Sequence, residues 1–258
     1  MQVHVLASGS TGNAILFEFG DTRILVDAGI STRRIEHGLA EVGVKLGEVN
    51  AVLVTHEHTD HIKGLEVMAR RHRLPIYARP AAWEAIEFSG QLPADCINEL
   101  SDILNIGAVR IEPFSISHDA ADPVGFCFYY KNRKCVLATD LGIVTETVEE
   151  ALSLADLAVF ESNHDIKMLD TGPYPHFLKK RIRSNIGHLS NLDAARVLAR
   201  INKKPGMRVF LAHLSQQNNH PEIAEKTVAS FLESCGYAVG SDIHLHMTYH
   251  NRRTSLLK

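Results

Sequence analysis

The stretch Thr55-His56-Glu57-His58-Thr59-Asp60-His61 constrains this chain more than any other. It places three imidazoles and two carboxylates within seven residues. Ala51-Val52-Leu53-Val54 before it is an apolar run of strand length, and Ile62-Lys63-Gly64-Leu65 after it opens a helical pattern through Met68 and Ala69. The motif therefore lies where a buried strand ends and a helix begins, which is where open α/β layers hold their ligands. Neutral imidazole and carboxylate suit zinc, manganese and iron. An extended turn aims His56 and His58 at one ion. Asp60 and His61, adjacent in sequence, turn to a second ion about 3.5–4 Å away. A polar loop that merely happens to be rich in His is the competing explanation. A full ligand series in a short motif is far more specific than a lone His-x-His.

The remaining composition sets bounds. A chain of 258 residues, 45% apolar and 22% charged, has the make-up of one soluble α/β domain spanning 1–258. A formal charge of −3 supplies no global steering toward nucleic acid or anionic lipid, so such binding needs a local patch. Cys96, Cys127, Cys135 and Cys235 show no CxxC spacing and read as buried thiols of a reducing cytosol. The first ten residues lack the charged start and apolar core of a signal peptide, and no apolar run reaches spanning length. A cytoplasmic protein without membrane contact is expected.

Taken in order, strands are expected at 3–7, 14–19 and 22–26, the first two joined by the loop Ser8-Gly9-Ser10-Thr11-Gly12-Asn13. That loop either offers backbone N–H groups and hydroxyls, Ser10 among them, to a phosphate, or is simply a turn. Ser31 caps a helix to about Glu41. Residues 62–72 are helical, and the basic cluster at 70–73 suits that helix's C-terminus. A strand at 75–78 precedes a helix from Pro80 to about Ser89, and an irregular stretch follows to Gly107. Strands at 109–116, 124–130 and 134–138 place His118 and Asp140 just past strand ends. A helix at 145–154 and a strand at 157–160 lead to Glu161-Ser162-Asn163-His164-Asp165. Residues 166–174 read as irregular. The basic run Lys179-Lys180-Arg181-Ile182-Arg183 precedes Gly187-His188-Leu189-Ser190-Asn191, with Asn191 capping a helix through Ile201. A strand at 208–212 ends at His213, a helix runs 221–235, and a last strand occupies 243–247.

The His56–His61 stretch resembles the H-x-H-x-D-H signature of the metallo-β-lactamase-fold hydrolases, and the likeness covers nearly the whole chain. Leu25-Val26-Asp27-Ala28-Gly29 resembles the family's first motif, His118 its third, and Thr139-Asp140-Leu141-Gly142 its fourth. The run from Gly187 to Ser215 resembles the tRNase Z and phosphodiesterase branch. The nearest likeness is to the YycJ (WalJ)-type group of compact exonucleases, which share SGSTGN, THEHTDH, ESNHD and GHLSN stretches. The resemblance implies an α/β chain folded as a four-layer αββα sandwich, with two divalent transition-metal ions (Zn, Mn or Fe). It implies one ion on His56, His58 and His118, the other on Asp60, His61 and His213, and Asp140 bridging both beside a hydroxide nucleophile. Asp27 supports the metal loop. Asp60 and His188 stand as the catalytic residues, with His188 touching the scissile phosphate and protonating the leaving oxygen. Glu161 and His164 lie near an acidic motif of the branch, with a supporting role open to either.

The activity so implied is phosphodiester hydrolysis, most specifically 5′ to 3′ DNA exonuclease action with a link to DNA repair. DNA ends are then the partner. The stretch from His118 to Asp140 has room for a hairpin but not for a long tRNA-gripping arm. That from Asp140 to His213 cannot hold the extra domain of the β-CASP nucleases. The basic run 179–183 either tracks a nucleic-acid backbone or is a solvated helix face. The alternative is a small-molecule hydrolase on the same site: a lactonase, thioesterase or cyclic phosphodiesterase.

Overall fold

A computed structural model describes residues 1–249 and 253–256. The described residues form two compact units: 1–113, 120–123 and 253–256 in the first, 114–119 and 124–249 in the second.

The first unit contains β1 (Gln2–Ala7), β2 (Ala14–Phe19), β3 (Thr22–Val26), α1 (Thr32–Ala40), β4 (Ala51–Leu53), α2 (Thr59–Ile62), α3 (Leu65–His72), β5 (Ile76–Ala78), α4 (Pro80–Ala85), β6 (Ile97–Glu99) and β7 (Leu104–Ile106). Strand β8 (Val109–Ser115) then carries the chain across the unit boundary. The second unit holds β9 (Val124–Tyr130), β10 (Arg133–Ala138), α5 (Glu146–Leu152), β11 (Leu157–Glu161), α6 (Ile166–Thr171), α7 (His176–Ile182), α8 (Asn191–Arg200), β12 (Met207–Ala212), α9 (Pro221–Ser234) and β13 (Ile243–Met247). Strand β14 (Thr254–Leu256) returns to pair antiparallel with β1.

In the first unit the sheet order is β14-β1-β2-β3-β4-β5-β6. The hairpin strands β1–β3 are antiparallel, and β3 through β6 run parallel. Strands buried on both faces read as continuous apolar runs, as β4 does with Ala51, Val52 and Leu53 all inaccessible. Helices α1 and α3 close one face through Ile35, Leu39, Leu65, Met68 and Ala69. Burying each of the larger ones, Ile35, Leu39, Leu65 and Met68, contributes about 1.5–3 kcal/mol.

In the second unit β9 pairs antiparallel with β10, and β10-β11-β12-β13 are parallel. Helices α5, α8 and α9 bury Val148, Leu152, Ala195, Leu198, Val228 and Leu232 in the same core as Val136, Phe160 and Leu211. Two mixed sheets, each flanked by helices of its own unit, match the α/β class expected from the sequence. The parallel register aligns Ala138 with Phe160, and Glu161 with Ala212. The residues just past these positions, Asp140 and His213, therefore emerge at the same carboxyl ends, with Glu161 between them.

Several local expectations need correction. The stretch before Gly107 contains β6 and β7 rather than irregular chain. The helix from Pro80 stops at Ala85, and 166–174 begins with α6, whose N-cap Asp165 accepts from the Met168 amide at 2.8 Å. Ser31 precedes α1 but makes no side-chain cap bond. The cap of α8 is Ser190, accepting from Asp193 N at 3.1 Å, and Asn191 is its buried first residue. Cys235 is exposed, unlike the other three cysteines.

Candidate metal centre

Two groups of potential ligands emerge at strand ends, one in each unit. In the first unit Asp27 follows β3 in the left-handed region (φ 60°). Its buried carboxylate receives the Thr55 amide at 2.9 Å and the Thr55 hydroxyl, and lies 2.7 Å from His61 Nδ1. Burial pushes this carboxyl's pKa up, opposed by His61 and Thr55. The Asp27 bond fixes the Nδ1–H tautomer of His61 and leaves Nε2 as its lone-pair nitrogen. The loop is held from below as well. The Asn13 amide donates to Asp60 O at 2.8 Å and the Ala28 amide to His61 O at 2.8 Å. A Cβ on Gly29 would sit 1.6 Å from the Asp60 carbonyl, so only glycine lets the backbone approach this closely.

The spacing of the donors fits a metal ion. His56 Nε2 and His58 Nδ1 are 3.1 Å apart, and His61 Nε2 and Asp60 Oδ2 3.6 Å. Two ligand atoms at about 2.0–2.1 Å on a tetrahedral ion stand about 3.3 Å from each other. The first unit thus carries two ligand pairs with ion-compatible spacing, and the His56 and His61 rings are 4.0 Å apart. Ser10 is exposed and, with Thr11, Gly29, Thr59, Asp60 and Lys63, lines an open pocket of about 370 Å³.

In the second unit Asp140 (φ 61°) follows β10 and His213 (φ 55°) follows β12. Non-glycine residues in this region cost energy and concentrate at functional sites. Ligand atoms of Asp140, Glu161, His188 and His213 lie within 4.8 Å of one another. Glu161 is their hub. Its Oε1 lies 2.9 Å from His188 Nδ1 and 2.8 Å from His213 Nδ1, while Oε2 accepts from Leu141 N at 2.8 Å and Leu189 N at 3.0 Å. Burial alone would raise this carboxyl's pKa, but His188 and His213 hold it well below the usual carboxylate range. Both imidazoles are thereby fixed with Nε2 directed away from Glu161. They differ in exposure, with the His213 side chain 2% accessible and that of His188 15%. A ligand is expected to be the shielded one and a substrate-contacting acid the open one.

His118 follows β8 with Nδ1 3.3 Å from Gly187 O and Nε2 4.0 Å from Asp140 Oδ1. Burial lowers its pKa, although Asp140 pulls the other way, and the neutral imidazole is the form that binds metal. His164 lies outside the Glu161 cluster, bridged through its backbone to Ser190, its pKa pushed down to about 4 by burial.

Sequence reasoning missed what holds the His213 loop. Asn163 Nδ2 donates to His213 O at 2.8 Å, and the Ser215 amide to Asn163 O at 2.8 Å. Asn219 Nδ2 reaches the Ser162 and Asn163 carbonyls, and its Oδ1 accepts from Asn191 Nδ2 at 2.9 Å. The signal available was the recurrence of asparagine in three strand-end or helix-start segments, where side-chain amides stand in for missing backbone partners.

The profile of the β-lactamase superfamily domain matches residues 22–214, which include parts of both units. Exodeoxyribonuclease YycJ of Bacillus anthracis is 42% identical over 247 residues, 95% of this chain and 94% of that protein. The chain belongs to the metallo-β-lactamase-fold hydrolases. Exodeoxyribonuclease WalJ of Streptococcus pneumoniae is a further member, 37% identical over 98% of this chain and 96% of its own. Two solved members of the fold align over 98% of both chains: YhfI from Bacillus subtilis (TM-score 0.74, 16% identity) and human tRNase Z, short form (TM-score 0.67, 17% identity). These two establish the metallo-β-lactamase fold. Among the described residues no helix is long and apolar enough to cross a membrane.

Proposed function

We propose that this protein is a dinuclear metal-dependent phosphodiesterase acting as a 5′ to 3′ DNA exonuclease in the cytoplasm, both units serving one catalytic domain. The full-length similarity to two exodeoxyribonucleases supports the substrate class. The observation that carries the chemistry is the Glu161 hub, which holds two imidazoles of unequal exposure. In this reading His56, His58 and His118 hold one ion, Asp60, His61 and His213 the other, and Asp140 both. Zinc, manganese and iron all accept such donors. When bound, a pair of divalent ions activates water near neutral pH and offsets the anionic charge of a phosphodiester.

The chain's own residues do the rest. Asp27 and Glu161 fix the tautomers of His61 and His213. Asp60, in addition to its ligand role, faces the Ser10 pocket, whose hydroxyls and Lys63 suit anionic oxygens. His188, held at Nδ1 by the Glu161 carboxylate, delivers a proton from Nε2 to the leaving oxygen.

The test is incubation of metal-reconstituted protein with 5′-labelled single- and double-stranded DNA, RNA and bis-p-nitrophenyl phosphate. DNA shortened from its 5′ end is the expected result. Efficient cleavage of lactones or thioesters with every DNA and RNA end left intact would replace this reading with that of a small-molecule hydrolase.

A further inference from the structure

Helix α7 leads into the loop that carries His188, the His188 amide donating to Ile182 O at 2.9 Å. His176, Lys179 and Lys180, with the C-cap residue Arg183, recur at i, i+3, i+4 and i+7, and so share one face. That face lines an open pocket of about 780 Å³ together with Asp170 and Ser184. Asp170 organises the cations. Its carbonyl accepts from Lys179 Nζ at 2.8 Å, and its carboxylate pairs with Arg183. Arg181, on another face, is taken by Asp119. Lys180 is exposed and, among the described residues, engages no carboxylate. The pocket is therefore net positive, with at least one cation ready for a ligand.

Beside Lys180 on the same helix stands Phe177, 73% accessible. Phe177 is the most exposed large hydrophobic side chain among the described residues and adjoins the cationic pocket. The pairing suits a polyanion that also carries flat apolar faces, which single-stranded nucleic acid does and an acidic peptide does not. We propose that α6 and α7 form a strand-holding platform, on which a phosphate of single-stranded nucleic acid enters the Lys179–Lys180–Arg183 pocket and an adjacent base stacks on Phe177. The platform deepens the nuclease reading and rests on it for its biological sense. The loop of His188 follows the helix within a few residues.

Binding is measured by fluorescence anisotropy with metal-loaded, full-length protein and a fluorescein-labelled phosphorothioate oligothymidylate, which resists cleavage. Phe177→Ala is expected to weaken binding about fivefold to a hundredfold, the loss of one stacked base. Phe177→Trp restores it. Lys180→Glu weakens binding and flattens the slope of log K against log salt by about 0.7, one phosphate contact fewer on a single strand. Turnover of bis-p-nitrophenyl phosphate stays unchanged in all three variants. Wild-type protein that does not bind the oligonucleotide, or Phe177→Ala binding within twofold of wild type, would overturn the platform. So would an equal loss on poly-glutamate, which would make the patch a general anion trap. Failure of the nuclease reading looks different: the wild type binds the phosphorothioate strand through Phe177 yet leaves ordinary DNA and RNA uncut.

Discussion

Replacing Glu161 by glutamine changes one atom at the hub of the second unit, and its consequences can be worked through. Both carboxylate oxygens are occupied, Oε1 by His188, His213 and the Asp140 amide at 3.3 Å, and Oε2 by the Leu141 and Leu189 amides. The side chain is fully buried, so no solvent replaces what is lost. A glutamine must point its NH2 one way or the other. Toward Leu141 and Leu189 it meets two N–H donors. Toward the imidazoles it forces both Nδ1 atoms to accept, which moves their protons to Nε2. The first orientation leaves two buried amides without an acceptor and is the costlier, so the NH2 turns to the imidazoles, where the two bonds to the carboxylate charge are lost, each worth about 1.5–3 kcal/mol, for a loss of about 3–6 kcal/mol. The imidazole tautomer with Nε2–H cannot ligate, so metal affinity at His213 falls about 10–100-fold. Turnover falls about 10²–10⁴-fold as His188 loses its oriented form. Urea unfolding, elemental analysis and hydrolysis of labelled DNA report the three effects separately. A Glu161→Gln protein with wild-type metal content and turnover would refute the tautomer argument, whatever its stability.

Other consequences are simpler. His188→Ala is expected to keep its metals and lose turnover, whereas His56→Ala loses both; elemental analysis beside a DNA cleavage assay distinguishes them, and metal loss in His188→Ala would exchange the roles of His188 and His213. His164 has its pKa depressed to about 4 by burial, below the ordinary His value of 6.5, so the unfolded chain binds the extra proton first. Its contribution to stability is present above about pH 6.5 and falls by up to about 3 kcal/mol as pH drops toward 4, which urea midpoints at pH 7 and pH 5 will show as a decline that His164→Gln reduces. Cys235 is the exposed thiol and the other three are buried, Cys135 with its pKa pushed far up by burial, so Ellman's reagent should titrate about one thiol rapidly in native protein and all four in denaturant.

The parts of this molecule that were legible in advance are those in which chemistry and backbone coincide locally. His56 to His61 lie on one short turn, and the strand Val124–Tyr130 reads as an apolar run. Asp27, Asp140 and His213 could be placed past strand ends, but their shared left-handed backbone could not be read from side-chain pattern. Three-residue strands such as β6 carry too few positions for a period, and β6 exists because Ile76 and Ile97 pair across distant sequence. Helix α6 is six residues long and is announced mainly by its cap, Asp165. The choice between Glu161 and His164 was undecidable from spacing. It depends on the parallel register that sets Glu161 beside Ala212, and so beside His213, while His164 turns toward Ser190.

The central claim is a pair of ions on the proposed His and Asp ligands of this chain, and the most direct test is the metal content of the purified chain after mild loading. The account predicts close to two transition-metal ions per chain, with Asp140→Ala lowering occupancy at both positions together. A protein that never exceeds about one ion, or an Asp140→Ala variant that keeps its full complement, would contradict it.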